Sequence, residues 1–261
     1  MAFPYRHVLL IGATSGIGKA MADRLIEAGA KVTAVGRRKE RLEEFTSRHG
    51  ESKARAIPFD IGKREQISQF AADVINASPD IDCVFLNAGV QRRYDFSQPE
   101  KVDLAEFHSE MSVNFSSFVD LAHAFLPFLL SKKSETSIIY TGSNLAIIPA
   151  AILPAYSASK AALNAFVLCL RDQLRATNVQ VVELLPPPVQ TELHDVEMGE
   201  EAGRRLGMPL NAFTEEVYKE LAAGNDQIVI GSVGPAETFN EIIDKRKFAF
   251  NTLAKLMRGE S

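Results

Sequence analysis

Short β-branched runs take turns with longer segments of helical period along the whole chain, and this alternation limits the fold more than any other feature of the sequence. Strand-like runs fall at 7–11, 31–35, 54–58, 82–86, 137–140, 179–185 and 227–230, and helix-like segments near 16–28, 38–49, 63–77, 103–131, 155–176, 213–224 and 235–257. Strands separated by helices pair in parallel, because each crossover carries the chain back to the same end of the sheet. Runs such as Val8-Leu9-Leu10-Ile11 and Cys83-Val84-Phe85-Leu86 are apolar at every position, the pattern of strands covered on both faces. The expectation is an α/β chain: a doubly wound parallel sheet of about seven strands with helices on both faces.

With 261 residues, 46% apolar and 24% charged, and no Pro/Gly/Ser-rich linker or charge block, the chain reads as one domain over 1–261. Disorder is excluded by the same composition. The net charge is -4 and no cationic run exceeds the pairs Arg37-Arg38, Arg92-Arg93, Lys132-Lys133 and Arg204-Arg205, which argues against nucleic acid or a membrane as partner. Cys83 and Cys169 each sit in an apolar run and read as small hydrophobes. No histidine forms a spaced pair with Cys or Glu, so no metal site is expected. The first residues carry no signal-peptide pattern, and the apolar run at 8–11 is too short for a membrane span; a cytoplasmic protein is expected.

One region breaks the alternation. The loop at 185–212 follows the sixth strand at the end where open α/β sheets bind ligands, and is long for a compact domain. It mixes Glu192, Asp195, Glu197, Glu200 and Glu201 with Arg204, Arg205, Met198, Leu206, Met208 and Leu210. Two readings stand side by side: a lid with an apolar underside, or an exposed surface helix. The remainder, 235–261, reads as a C-terminal helix and tail.

Directly after the first strand comes Gly12-Ala13-Thr14-Ser15-Gly16-Ile17-Gly18, leading into a helix. Glycines there allow a tight turn, close approach of a pyrophosphate to the backbone, and close helix packing, while the helix N-terminus offers N–H groups to an anion. An acidic residue at the end of the second strand would hold the adenosine ribose of NAD. This chain has Gly36-Arg37-Arg38 instead, and two guanidiniums suit a 2′-phosphate, so NADP(H) is preferred over NAD(H). The plain alternative is that Arg37 and Arg38 merely open a solvated helix.

Tyr156 and Lys160 stand four apart at the start of the sixth helical segment, on one face. A tyrosine of ordinary pKa is too weak an acid–base group for neutral pH, and a neighbouring ammonium stabilises its phenolate. Ser143 follows the fifth strand, where its hydroxyl can donate to a carbonyl oxygen or serve only as a turn residue. The nucleophile elbow Gly-x-Ser-x-Gly of serine hydrolases is missing.

Taken together, Gly12-x-x-x-Gly16-Ile17-Gly18, Asp60-Ile61, Asn87-Ala88-Gly89, Asn114, Ser143 and Tyr156-Ser157-Ala158-Ser159-Lys160 resemble the short-chain dehydrogenase/reductase family over residues 5–235. The run Glu183-Leu184-Leu185-Pro186-Pro187-Pro188-Val189-Gln190-Thr191-Glu192-Leu193 is similar to its DltE-like subgroup. The resemblance implies a single Rossmann-type domain, a nicotinamide cofactor and interconversion of a carbonyl and an alcohol of a small molecule by hydride transfer. It implies Tyr156 as general acid–base, Lys160 lowering its pKa and holding the nicotinamide ribose, Ser143 orienting the carbonyl, and Asn114 distorting its helix to hold a water. Asp60 and Ile61 would flank the adenine, Asn87, Ala88 and Gly89 would line the cofactor's path, and Val189 and Thr191 would contact the carboxamide.

Pro187 replaces the glycine usual in the family's Pro-Gly turn, removing an N–H and fixing φ. Two other functions are compatible with the resemblance: an NADP-sensing regulatory protein without turnover, and a biosynthetic chemistry without net redox. A homodimer or homotetramer is a family-level expectation, with Phe115, Phe118, Leu121 and Phe125 either facing a two-fold partner or lying in the core.

Overall fold

A computed structural model describes residues 3–195 and 199–260; Glu197 and Met198 of the long loop lie outside the described residues. The strands are β1 (His7–Ile11), β2 (Lys31–Gly36), β3 (Ala54–Pro58), β4 (Cys83–Leu86), β5 (Thr136–Thr141), β6 (Val179–Leu185) and β7 (Gln227–Val229). They form one parallel sheet in the order β3-β2-β1-β4-β5-β6-β7. Ile11 sits level with Val35 of β2 on one side and Leu86 of β4 on the other. The strand order reverses between β1 and β4, so chains leaving these neighbours diverge to opposite faces and leave a crevice beyond their carboxyl ends.

Alternate side chains of each strand feed two separate cores. Val8, Leu10, Ala34 and Phe85 pack against α1 (Gly16–Glu27), α2 (Lys39–His49) and α8 (Leu210–Ala222). Leu9, Ile11, Val84 and Ile138 pack against α3 (Ile67–Ala77), α5 (Ser117–Leu130) and α6 (Pro154–Leu174). Burial on both faces explains why these strands carry no polar alternation. The doubly wound sheet of seven strands expected from the sequence is the fold.

Two expectations need correction. The helix at 103–131 is not continuous: α4 (Leu104–Met111) runs into a π-helical turn, Ser112–Ser116, before α5 begins. Asn114 causes the widening, because its amide is buried and bonds the backbone of Val90 in both directions. The stretch Leu104–Leu130 is apolar enough by length and composition to cross a membrane, yet Phe118, Leu121 and Phe125 are core residues within this chain, with Phe115 partly buried against them. Cys169 is exposed, since Val167 and Leu170 take the inward face of α6.

The loop at 185–212 carries short local structure among its described residues. Val189 bridges Met208, a 3₁₀ turn spans Glu192–His194, and α7 (Glu200–Gly203) follows. Beyond β7, α9 (Ala236–Met257) anchors itself by Phe239 and Ile243 and leaves Phe248 and Leu256 exposed.

Phe125 has no exposed surface and meets Phe70 edge-on at 6.3 Å between ring centroids. Phe125→Ala is expected to cost about 3–5 kcal/mol in urea unfolding, with an unchanged slope. A loss below about 1 kcal/mol would show that α5 does not carry this core.

Candidate active site

The crevice is built on a turn that only glycine can make. Gly12 adopts φ 90, and its N–H and that of Ala13 both donate to the Val35 carbonyl at 2.8 and 3.0 Å. A Cβ on Gly12 would stand 2.5 Å from the backbone nitrogen of Ala88, and one on Gly18 only 2.1 Å from the Gly12 carbonyl. Asn87 pins the strand ends together: its Nδ2 donates to Gly12 O at 3.2 Å, and its Oδ1 accepts from the Thr141 hydroxyl at 3.0 Å. The ends of β1, β4 and β5 are thereby fixed around the first turn of α1.

Above this turn lies a cleft of about 660 Å³. One end is walled by Thr14, Ser15, Gly16, Ile17, Arg37 and Arg38, with Asp60 and Ile61 beside them. Its middle is bounded by Asn87, Ala88 and Gly89, and by Pro187, Val189 and Thr191 from the chain after β6. At the other end Ser143, Tyr156 and Lys160 meet Gln91, Arg93, Ile152 and His194. Every residue singled out for the cofactor from the sequence, apart from Gly18, which packs beneath the turn, lines this one cleft.

Tyr156 and Lys160 are buried one turn apart on α6, with the Lys160 nitrogen 5.6 Å from the centre of the Tyr156 ring. The Lys160 ammonium donates to the Thr141 carbonyl at 2.8 Å, which ties α6 to the end of β5. Ser143, two residues further along the chain, accepts from Leu145 N at 3.1 Å and hydrogen-bonds the phenol of Tyr156. Burial pushes the Tyr156 phenol up to about 12, with the Ser143 hydrogen bond acting against it. The Lys160 ammonium is pulled down to about 8 by burial, against the attraction of the Glu183 and Glu110 carboxylates. A hydroxyl pair and a buried cation at the floor of a cleft can polarise a carbonyl oxygen and move a proton to it.

The short chain dehydrogenase family model matches residues 6–201, three quarters of the chain. The chain belongs to this family. Among its relatives, the uncharacterized oxidoreductase DltE of Bacillus subtilis is 32% identical over 221 residues, covering 85% of this chain and 86% of that one. Serine 3-dehydrogenase of Rhizobium radiobacter is 31% identical over 211 residues, covering 80% and 83%. The solved closed form of serine dehydrogenase complexed with NADP+ superposes with a TM-score of 0.77 at 27% identity, over 88% of this chain and 97% of that one. The DltE-like subgroup is supported by the first of these.

In this short-chain dehydrogenase, Asn114 sits within the π turn with Nδ2 also 3.2 Å from the Ser159 hydroxyl, directly behind the Tyr156–Lys160 turn. The arginines at the end of β2 part company. Arg37 is exposed at the cleft wall, whereas Arg38 donates to the hydroxyls of Thr14 and Ser15 and, at 2.6 Å, to Glu192. Arg41 from the first turn of α2 joins it, 2.7 and 2.9 Å from the two Glu192 oxygens. Sequence reasoning passed over Arg41, although the spacing Arg37-Arg38-x-x-Arg41 puts it one turn from Arg38.

It also missed Glu183. This carboxyl is fully buried on β6, accepts from Asn164 Nδ2 at 2.7 Å, and lies where a Cβ on Gly142 would be 2.9 Å away. A lone charged residue within a mostly apolar strand was the signal that could have found it. Among the described residues no group of three or more His, Cys, Asp and Glu could hold a metal ion.

Burial pushes Glu183 up to about 7, opposed by Arg171 and the Asn164 amide. Between its ordinary value and this one, the folded protein holds a proton that the unfolded chain has released. Folding stability contributed here is therefore present below the ordinary carboxylate range and lost as pH rises to about 7. Glu183→Gln, neutral at every pH, is expected to gain about 2 kcal/mol on wild type between pH 5 and pH 8 in urea unfolding. Parallel pH profiles for the two proteins would show that Glu183 is charged throughout.

Proposed function

We propose that this chain is an NADP(H)-dependent oxidoreductase that interconverts a carbonyl and an alcohol of a small molecule, with Tyr156 as general acid–base. The observation that carries the reading is the meeting of Ser143, Tyr156 and Lys160 at one end of a cleft whose other end is a glycine turn flanked by arginines. A dinucleotide fits these residues. The Gly12–Gly18 turn would take the pyrophosphate on backbone N–H groups, and a Cβ at Gly12 or Gly18 would clash with Ala88 or with the Gly12 carbonyl and so deform the turn. Asp60 and Ile61 would flank the adenine, Arg37 and Arg38 would face a 2′-phosphate, Asn87, Ala88 and Gly89 would line the path, and Lys160 would hold the nicotinamide ribose. Val189 and Thr191 would contact the carboxamide; Thr191 is already packed against Gly16, whose Cβ would be 3.2 Å from it. The cofactor, when bound, supplies or accepts the hydride.

The protein's own side chains then have distinct tasks. Ser143 and Tyr156 donate O–H groups to the substrate oxygen and stabilise the charge that develops on it. A phenol held near 12 is protonated at neutral pH, which suits it to give its proton in the direction of carbonyl reduction. Lys160 brings a positive charge beside the phenol, and the Glu183 and Glu110 carboxylates sustain that charge against burial. Asn114 holds the π turn open behind this pair, where a water could connect Lys160 to solvent. The relative that oxidises serine and the solved NADP+ complex support the same chemistry on this fold. We further propose a cytoplasmic protein that assembles as a homodimer or homotetramer.

Tyr156→Phe removes only the hydroxyl. With NADPH and a panel of aldehydes and ketones, this variant is expected to lose turnover by at least about 10²-fold while keeping dinucleotide affinity within about twofold of wild type. Retention of most of the activity would overturn the role given to Tyr156.

A further inference from the structure

The cleft's cationic end is covered by a carboxylate from elsewhere in the chain. Glu192 opens the 3₁₀ turn Glu192–His194 after β6, more than 150 positions from the arginines it meets, Arg38 and Arg41. One oxygen accepts from Arg38 Nη1 at 2.6 Å and from Arg41 at 2.9 Å, and the other accepts from Arg41 at 2.7 Å. A third guanidinium, Arg204, stands 3.8 Å from it while gripping Asp195 at 2.9 Å. Around this carboxylate the hydroxyls of Thr14 and Ser15 contact Arg38, and the Thr14 carbonyl accepts from Arg41 at 3.1 Å. Two guanidiniums, two hydroxyls and the lip of a glycine turn form the kind of seat that recognises a phosphate monoester.

We infer that Glu192 competes with the 2′-phosphate of NADP(H) for Arg38 and Arg41, and so sets how strongly the protein prefers the phosphorylated cofactor. The inference rests on the NADP(H) reading above and adds Arg41 to the phosphate seat. A dianionic phosphate has more charge and more acceptor oxygens than a carboxylate, so it displaces Glu192 at an energetic cost that the unphosphorylated cofactor never meets. Glu192 links that exchange to the chain after β6, because its neighbour Thr191 packs on Gly16 and because Arg204 bridges it to Asp195. Glu192 thus acts as a specificity determinant by repulsion, and it need not touch the reacting atoms.

Adenosine 2′,5′-bisphosphate and adenosine 5′-monophosphate isolate the phosphate seat from the nicotinamide end. Their affinities for wild type, Glu192→Gln and Arg41→Ala are to be measured by calorimetry. Glu192→Gln is expected to bind the bisphosphate about three- to tenfold more tightly and the monophosphate equally, and Arg41→Ala to lose affinity for the bisphosphate alone. If wild type prefers the bisphosphate and Glu192→Gln leaves that preference unchanged or weaker, Glu192 positions the arginines and the inference is overturned while the cofactor reading stands. If neither wild type nor Glu192→Gln binds the bisphosphate more tightly than the monophosphate, the NADP(H) reading falls and the inference with it.

Discussion

The close approach of Gly12 to Ala88 is the contact on which the rest of the site depends. Where the strand order reverses, the chains leaving β1 and β4 are separated by less than the space of one methyl group, and Asn87 bonds across the gap to Gly12 and Thr141. That contact sets where α1 begins, and α1 sets where Thr14 and Ser15 stand. Through Thr141 it also fixes Lys160, whose ammonium bonds the same residue's carbonyl. Both ends of the cleft, nucleotide and chemical, are thus referred to one pair of strand ends. A parallel sheet suits this because all carboxyl ends lie on one side.

Around that frame, ionisable groups are buried beyond what stability alone would favour. Lys160, Glu183 and Glu110 are each fully or almost fully buried. Each charge costs free energy to desolvate, and the mutual attraction of cation and carboxylates offsets part of it. Glu183 and Lys160 are linked through α6, since Asn164 bonds Glu183 one turn after Lys160. On our account the return on this cost is chemical: a cation held beside a phenol that is protonated at neutral pH and so has a proton to give.

The fold was legible in the sequence because strands covered on both faces are largely apolar, and runs such as Val8–Ile11 and Cys83–Leu86 showed it between segments of helical period. The meeting of Ser143, Tyr156 and Lys160 was legible because Tyr156 and Lys160 share a helix turn and Ser143 follows a strand, so local spacing already placed them at one end of the sheet. What local spacing cannot convey is long-range pairing. Glu192 and Arg41 are far apart in the chain, and Glu192 looked like one of several acids on a solvated segment. The break in the helix at 103–131 was likewise invisible to periodicity, since a π turn adds one residue without changing composition; the family resemblance to Asn114 pointed to it. Cys169 misled because an apolar neighbourhood in sequence wraps around all sides of a helix.

The central claim is that the cleft between β1 and β4 holds a phosphorylated nicotinamide dinucleotide and serves Tyr156. Titrating the purified protein with NADPH and with NADH, while following nicotinamide fluorescence, tests it most directly. Saturable enhancement with both, and tighter binding of NADPH, is the predicted result. Saturation by neither cofactor would contradict the account.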